Sequence, residues 1–237
     1  MLRFEYDLDP VRDRLATYGI IILKTDETLE KEFGVLLNGG GNVVHYSRVE
    51  SEALVSPKTL RRMEARIPKS AGMLPEAANY DAVAYACTSG ATTIGPQKVA
   101  AAVHTVIPDI PVTDPITATI ARLRSIEARK ICLLTPYVPS VTGAMAEKLT
   151  GEGFEIVASG SFYEERECAV VRISQASVLA AVEALAQEAD ADAVFVSCTN
   201  LPTIDILEEA RKRTGVEVFS SNSALAWHLE TLANRSQ

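Results

Sequence analysis

Short apolar runs alternate along the chain with longer stretches whose apolar positions recur at helical spacing. The clearest runs lie at 20–23, 81–86, 130–134 and 192–197. Weaker runs lie at 42–45, 154–157 and 216–219. Helical spacing fills intervals between them, at 57–66, 97–106, 140–150, 177–189 and 203–213. Apolar strands that alternate with helices are typical of parallel sheets covered on both faces, so the pattern predicts an α/β protein.

The chain also repeats itself. The segment Tyr80–Thr88 aligns with Ala191–Thr199, with Asp, Ala, Val, Cys and Thr at the same offsets. The cysteines of the two copies, Cys87 and Cys198, are 111 residues apart. This period is far longer than the ~20–50 residues of solenoid repeats. It predicts two pseudo-symmetric, Rossmann-like domains, each a parallel sheet flanked by helices, with the active site in the cleft between them.

The repeat also predicts where the two halves divide. We expect a first α/β half at 1–115, completed by a C-terminal helix at 222–237, and a second half at 116–221. The joint between them is expected near 113–126. Each half is long enough to bury its own core, since domains of ~100 residues are common.

Charge and hydropathy exclude several classes of partner. The 237 residues include 23 Lys and Arg against 31 Asp and Glu, a formal net charge of −8, with no basic run. A nucleic-acid surface would need a basic stripe. No stretch approaches the ~18 apolar residues of a membrane helix, and the charged N-terminus does not resemble a secretory signal. We therefore expect a cytoplasmic protein with neither a nucleic-acid nor a membrane partner.

The four cysteines differ in their surroundings. Cys132 lies inside a predicted strand and Cys168 has no motif around it, so both are expected to be inert. Cys87 and Cys198 each follow a strand of the repeat, which indicates a functional pair. No CxxC pair occurs and the histidines lie far from any cysteine in sequence. We therefore expect free thiols and no metal site.

Ligands of parallel α/β sheets bind beyond the carboxyl ends of the strands. The segments that follow the four clearest strands should therefore converge at 24–28, 87–90, 135–137 and 198–200. If the halves face each other, Cys87 and Cys198 approach one cleft from opposite sides. This is the geometry of a two-base reaction, in which one group removes a proton and the other delivers one.

The turns that carry the thiols are rich in hydrogen-bond donors. Free backbone N–H groups at a strand-to-helix turn should favour a thiolate and bind a substrate carboxylate or an enolate oxyanion. The side chains expected to add donors and bind substrate are Thr88, Ser89, Tyr137, Thr199 and Asn200. This chemistry needs no metal, flavin or pyridoxal phosphate, so no cofactor is expected.

Four segments together resemble the Asp/Glu racemase superfamily, and within it the branch of maleate cis-trans isomerases and arylmalonate decarboxylases. They are Ala86–Gly90, Thr135–Tyr137, Ser197–Leu201 and Ser220–His228. The opening segment Asp7–Arg14 and the turn Thr25–Thr28 are more similar to the ectoine-utilisation proteins of that branch. The resemblance covers nearly the whole chain, and it implies an enzyme that needs no cofactor and works with two thiols.

The resemblance also implies roles for these residues. Racemases of the superfamily use two thiols to remove and return a proton at an α-carbon. In maleate isomerases the first-half cysteine adds to the double bond and the second assists. By motif match, Cys87 is the first-half base or nucleophile, Cys198 is its partner, and Tyr137 holds a substrate carboxylate. The decarboxylases usually have glycine at the first position, so Cys87 argues against a decarboxylase.

Two positions depart from the maleate isomerase pattern. Those enzymes typically carry asparagines that help to hold a dicarboxylate, where this chain aligns Asp26, beside Thr25, and Glu167. We expect all three of these residues to bind substrate. Carboxylates in place of amides remove donors and add like charge against a dianion. The substitutions therefore argue against maleate and favour a substrate with a cationic or amide-bearing end, such as a diamino acid or its acyl derivative.

The leading hypothesis is an isomerase of a small amino or carboxylic acid, with proton transfer as the expected step and thiol addition as the runner-up. One alternative is an arylmalonate-type decarboxylase. Another is a protein that binds a small acid on the same scaffold without turning it over. The resemblance implies a homo-oligomer, expected to be a dimer.

Overall fold

The structure is a computed structural model that describes residues 1–7, 16–37 and 41–235. Most of the opening segment 7–14 noted above therefore lies outside the described residues, as does the end of the helix predicted at 222–237. Two four-stranded sheets carry the fold, and every neighbouring pair of strands in them is parallel.

The first sheet has the strand order β2-β1-β3-β4. Its strands are β1 (Thr17–Leu23), β2 (Val43–Val49), β3 (Ala82–Ala86) and β4 (Val112–Thr113). The helices of this part of the chain are α1 (Leu29–Leu36), α2 (Pro57–Arg62), α3 (Ile67–Ala71), α4 (Thr88–Ile94) and α5 (Pro96–His104). Helix α6 (Pro115–Ser125) then leads to the second sheet.

The second sheet has the order β6-β5-β7-β8, which repeats the first. Its strands are β5 (Lys130–Thr135), β6 (Glu155–Ser161), β7 (Ala193–Val196) and β8 (Glu217–Ser220). The helices are α7 (Pro139–Gly151), α8 (Glu167–Val170), α9 (Gln175–Glu188), α10 (Leu207–Thr214) and α11 (Ser221–Arg235). The matching orders and the parallel pairing confirm the predicted α/β class with two similar halves.

The central strands form the core because helices cover both of their faces. Every residue of β3 and β7 is buried, and β1 and β5 are buried except for their first residues. Strands buried on both faces are apolar throughout, which is why these four runs were the clearest in the sequence. Their carboxyl ends lead directly into the turns that carry the predicted site residues.

Several predicted elements differ in detail. The helix predicted at 57–66 is divided, since α2 ends at Arg62 and a 3-10 turn follows at Glu64–Arg66. The helix predicted at 203–213 begins with a 3-10 turn at Ile204–Ile206. Strand β4 and helix α8 are too short to show a period and were not predicted from the sequence.

The predicted joint is itself helical. Asp114 caps α6 by accepting the N–H groups of Ile116 and Thr117, both at 3.0 Å, and Pro115 occupies the first helical position. Helix α11 packs against α1 and β3 of the first part of the chain and against α6 and β8. The division of the chain near residue 115 stays a prediction.

Candidate active site

Cys87 lies at the junction of β3 and α4. It is the N-cap residue of α4, and its Sγ accepts the Gly90 N–H at 3.2 Å. The Ser89 hydroxyl lies 3.7 Å from the same sulfur. The side chain is nearly inaccessible to solvent, with 3% exposed. The short turn therefore fixes the sulfur above the helix start, as expected for a strand-to-helix junction.

Glycine at position 90 is what lets the sulfur lie there. A Cβ atom added at Gly90 would stand 2.9 Å from Cys87 Sγ and 2.6 Å from the Tyr85 hydroxyl oxygen. Both distances are shorter than real Cβ contacts. The Ala86–Gly90 motif thus combines a thiol with the one residue small enough to leave it room.

Cys198 occupies the equivalent position after β7, and its backbone is strained. Its φ angle is 118°, in the left-handed region that L residues with a side chain rarely adopt. Such a conformation costs ~1–3 kcal/mol and persists only where the surrounding structure holds it. One contact that stabilises this conformation is the hydrogen bond from the Cys198 N–H to the Ser221 hydroxyl, at 3.0 Å.

Tyr137 lies close to both thiols. It follows β5 and is buried, and the Tyr137 hydroxyl lowers the pKa of Cys198 by hydrogen bonding. Burial raises the pKa of Tyr137 well above its usual value, and negative charge on Cys198 or Cys87 raises that pKa further. The two cysteines and the tyrosine thus belong to one cluster, built from both sheets.

The prediction that these turns favour thiolates is wrong, because the pKa of each thiol is raised rather than lowered. Burial, followed by the charge of Glu167, raises the pKa of Cys87 to about 12. The same two causes raise the pKa of Cys198 well above its usual value. The Gly90 N–H and the Ser89 hydroxyl do lower the pKa of Cys87, but by less. Removal from water and a nearby carboxylate outweigh the donors.

Glu167 is the first residue of α8 and lies close to both thiols. Its Oε2 accepts the Asn200 side-chain N–H at 2.8 Å. Burial raises the pKa of Glu167 to about 7, the Asn200 hydrogen bond lowers it, and the charge of Asp26 raises it. The residue is 5% exposed. A carboxyl that titrates near neutral pH beside two thiols is typical of a functional site.

Asp26 lies in the turn after β1. Its Oδ1 accepts the N–H groups of Thr28 at 2.9 Å and Leu29 at 2.8 Å, whereas its buried Oδ2 has no hydrogen-bond partner. The Thr199 hydroxyl lies near enough to lower the pKa of Asp26, but it donates to the Ala86 carbonyl at 3.3 Å. Burial dominates and raises the pKa of Asp26.

Asn200 ties the turn after β1 to the turn after β7. Its Oδ1 accepts the Glu27 N–H at 2.9 Å, and its backbone carbonyl accepts the Thr28 hydroxyl at 2.9 Å. The other predicted donors have partners of their own. The Thr88 hydroxyl lies 2.8 Å from that of Ser221, and the Thr25 hydroxyl lies 3.2 Å from that of Ser51.

A bridge between the two halves runs beside Glu167. The Val55 N–H donates to the Glu165 carbonyl at 2.8 Å, and the Glu167 N–H donates to the Ala53 carbonyl at 3.1 Å. Leu54 and Arg166 form an isolated antiparallel β-bridge at the same place. Cys87 and Cys198 are almost wholly buried in this conformation, at 3% and 4% exposed.

Several residues that build this site were not predicted from the sequence. Ser221 contacts both thiol-bearing turns, and Asn222 donates to the Thr199 carbonyl at 2.9 Å and to the buried Glu32 carboxylate at 2.8 Å. Glu32 also accepts the Thr203 N–H at 2.6 Å. The segment Ser220–His228 contributed to the resemblance, but nothing in its spacing indicated which of its serines faces the thiols.

The remaining cysteines lie apart from this cluster. Cys132 is buried in β5 and donates its thiol to the Leu185 carbonyl at 3.3 Å, and Cys168 is exposed. In the described ranges, no group of His, Cys, Asp and Glu side chains could hold a metal ion. No helix in that part of the chain is long and apolar enough to cross a membrane.

Comparison with known proteins decides the family. Residues 55–237 match the model of the family described as arylmalonate decarboxylase. The chain belongs to the arylmalonate decarboxylase family. This confirms the branch that its motifs resemble, while the finer likeness to ectoine-utilisation proteins stays a prediction.

Curated relatives of this family member carry two names. Maleate isomerase from Nocardia farcinica is 26% identical over 222 residues, covering 89% of this chain and 87% of the relative. Arylmalonate decarboxylase from Bordetella bronchiseptica is 30% identical over 125 residues, covering 52% of each. The match to the isomerase therefore spans both halves, and an isomerase is the enzyme type that these relatives support.

A solved structure agrees with the fold. It is a mutant of the N. farcinica maleate cis-trans isomerase with a covalently bound succinylcysteine intermediate. It superposes with a TM-score of 0.83 at 23% identity, covering 93% of this chain and 94% of the other. At that identity the superposition establishes the shared fold of this family member.

Proposed function

We propose that this protein is a cofactor-independent isomerase of a small carboxylic or amino acid, with Cys87 and Cys198 as its reacting groups. The observation that carries the proposal is the paired placement of two thiols at equivalent strand ends, around one buried tyrosine. Simple binding of an acid needs no second thiol. The maleate isomerase relatives, matched over most of both chains, support the same reaction class.

In the first mechanism, the thiols exchange a proton with the substrate. One thiolate takes the proton from the α-carbon, and the electron pair of the C–H bond moves into the carboxylate to form an enolate. The other thiol then delivers a proton to the opposite face of that carbon. The substrate leaves with inverted configuration, and the two cysteines have exchanged protonation states.

In the second mechanism, a cysteine adds to a double bond of the substrate. The Cys87 thiolate forms a C–S bond, and the π electrons move to the adjacent carbon, which takes a proton from Cys198. Rotation about the new single bond follows, then loss of that proton and breakage of the C–S bond return the alkene in the other geometry. The succinylcysteine in the N. farcinica enzyme supports this mechanism, which the sequence analysis ranked second.

The proposed substrate contacts are the polar side chains around the thiols. The Tyr137 hydroxyl is placed to donate to a carboxylate, and the Ser89 hydroxyl lies beside Cys87. The Asn200 side chain donates to Glu167 and positions that carboxyl. The complete proposed set is Thr25, Asp26, Thr88, Ser89, Tyr137, Glu167, Thr199 and Asn200. The Thr88 hydroxyl contacts Ser221. Its proposed role is therefore to position the turn that carries Cys87.

The test is isomerisation of unsaturated dicarboxylates and of single enantiomers of amino acids, followed by proton NMR in deuterium oxide. Racemisation by proton transfer introduces deuterium at the α-carbon, whereas thiol addition leaves an adduct on Cys87 that mass spectrometry detects after rapid acid quench. Absence of conversion across the whole panel, with a folded protein that binds these acids, contradicts the proposal and favours a binding protein.

A decarboxylase is the second candidate, because the family model carries that description. It predicts release of carbon dioxide from aryl-substituted malonates. Cys87 argues against it, since the decarboxylases that the chain resembles usually have glycine there. Release of carbon dioxide without isomerisation would favour the decarboxylase over the isomerase.

The setting of the enzyme is part of the proposal. Four free thiols fit a reducing compartment, so we place the protein in the cytoplasm. We also propose a homodimer, by analogy with the family. Cell fractionation tests the first statement, and light scattering across a range of concentrations tests the second.

A further inference from the structure

The site contains two buried carboxyl groups that neither donate nor accept a proton in the proposed isomerisation. Asp26 is 3% exposed and Glu167 is 5% exposed. Each is close enough to act on the Cys198 thiol, and the charge of Asp26 acts on Glu167. Burying two carboxyls together in one site is costly unless something compensates for their charge.

No cation of the described residues compensates for them. Neither carboxyl forms an ion pair with any Lys, Arg or His side chain in the ranges that the structure describes. The guanidinium of Arg48 acts weakly on Asp26, but it donates to the Asp26 backbone carbonyl at 2.9 Å and pairs with Glu30 at 3.0 Å. It therefore neutralises a different carboxylate.

One carboxylate oxygen lacks even a hydrogen bond. Asp26 Oδ1 holds the start of α1 through two N–H groups, but Oδ2 is buried and has no partner. Leaving a buried acceptor unsatisfied costs ~1–3 kcal/mol, and more if it is charged. The Glu167 carboxylate receives the Asn200 amide, which is neutral. The carboxylate oxygens of Asp26 and Glu167 therefore have no positively charged partner among the described residues.

A substrate with a second carboxylate is disfavoured here. It would bring another negative charge to two carboxyls in a site from which water is largely removed, where repulsion is strong. A positive group has the opposite effect, since it supplies both the missing charge and the missing hydrogen-bond donors.

We infer that the substrate is a diamino acid, and that Asp26 and Glu167 hold its side-chain ammonium group beside the two thiols. The inference rests on the proposed function, because it assigns a substrate class to the same site. Asp26 Oδ2 is the acceptor that the ammonium completes, and Asn200 orients Glu167 toward it.

This arrangement links substrate choice to the reactivity of the thiols. The charge of Glu167 opposes ionisation of both Cys87 and Cys198. An ammonium group placed against Glu167 cancels that opposition, so the thiols become easier to ionise only when the correct substrate is bound. Neutral and dianionic acids supply no such positive charge.

The first experiment measures binding by titration calorimetry. The panel contains α,ω-diamino acids of three to six carbons, the monoamino acids of the same lengths, and maleate, aspartate and glutamate. We expect one diamino acid to bind at least ~30-fold more tightly than the matched monoamino acid and any dicarboxylate, the fold-change of a lost buried charge contact. A dicarboxylate or monoamino acid that binds as tightly as every diamino acid overturns the inference.

The second experiment removes each charge while keeping its shape. Asp26→Asn and Glu167→Gln should each weaken binding of that diamino acid by at least ~30-fold and leave binding of the matched monoamino acid within ~3-fold. Glu165→Gln, an exposed neighbour, is the matched control and should change neither. Equal losses for both ligands indicate a structural role and overturn the inference. Circular dichroism verifies that each variant is folded.

Failure of the inference is distinguishable from failure of the proposed function. Cys87→Ser and Cys198→Ser should keep the preference for the diamino acid in calorimetry and lose turnover. Retained turnover in both serine variants contradicts the proposed function and leaves the binding result untouched. Loss of the charge preference alone contradicts the substrate class and leaves the role of the thiols untouched.

Discussion

The Ser221 hydroxyl accepts the Cys198 N–H at 3.0 Å, so the first residue of α11 holds the strained turn that carries the second thiol. The same hydroxyl lies 2.8 Å from that of Thr88, the residue after the first thiol. One side chain therefore joins the two turns of the site. This explains how the two thiol-bearing turns, which are far apart in sequence, are held in a fixed position relative to each other.

Replacing Ser221 with alanine tests this connection. The change leaves the buried Cys198 N–H without an acceptor, so Ser221→Ala should lower the free energy of unfolding by ~1–3 kcal/mol. The Cys198 turn should also loosen, which increases the rate at which iodoacetamide alkylates that thiol. Ser223→Ala is the control, because within the described part of the chain the Ser223 hydroxyl bonds Ser220 and neither thiol-bearing turn. Equal alkylation of Cys198 in both variants contradicts the connection.

The positive φ at Cys198 predicts an unusual order of stability. Glycine adopts this conformation without strain, so Cys198→Gly should be more stable to urea than Cys198→Ala, by ~1 kcal/mol. Cys132 lies inside strand β5, where glycine weakens the strand, and provides the matched control. There the order should reverse, with Cys132→Ala more stable than Cys132→Gly. The same order at both positions would contradict strain at Cys198.

The contact between Gly90 and Cys87 predicts opposite effects for two glycines in helices. Gly90→Ala places a methyl group against the sulfur and the Tyr85 hydroxyl, and should cost ~1–3 kcal/mol of unfolding free energy. Gly143→Ala in α7 meets no atom within 4 Å and should stabilise the fold by ~0.5–1 kcal/mol. Urea denaturation of both variants measures the difference. A neutral Gly90→Ala variant would show that the sulfur lies elsewhere.

The raised pKa of Glu167 predicts how stability depends on pH. The folded state keeps a proton on this carboxyl up to about pH 7, whereas the unfolded chain releases it near 4.5. Stability should therefore fall as pH rises through this window, by at most ~3 kcal/mol from this group. Glu167→Gln removes this contribution, while Asp26 and the other buried carboxyls remain in both proteins. Parallel stability curves for wild type and variant between pH 4.5 and 7 contradict the assignment.

The fold could be predicted because its central strands are buried on both faces. Runs such as 20–23 and 192–197 are apolar throughout, and the repeat of Asp81 to Thr88 at Asp192 to Thr199 indicates equivalent halves. The shorter elements could not be predicted in this way. Strand β4 has two residues and α8 has four, so neither shows a period.

The site was predictable only in part, for a physical reason. Position along the chain indicates which residues follow a strand, and this was enough to single out Cys87 and Cys198. It does not indicate where each hydroxyl or carboxyl finds its partner. The role of Ser221, the unpartnered oxygen of Asp26 and the raised pKa values of the thiols all depend on burial and on contacts across the two halves. Sequence reasoning counted the donors around each thiol, and the structure adds the loss of water that outweighs them.

Cys87 and Cys198 are proposed to act as one reacting pair, and turnover of the two single serine variants tests this pairing. Isomerisation by wild type, Cys87→Ser, Cys198→Ser and the exposed control Cys168→Ser would be followed by proton NMR on the same substrate. Cys87→Ser and Cys198→Ser should each lose at least ~100-fold in turnover, while Cys168→Ser should match wild type. Turnover that stays unchanged in either Cys87→Ser or Cys198→Ser, in a folded protein, would contradict the proposed pairing.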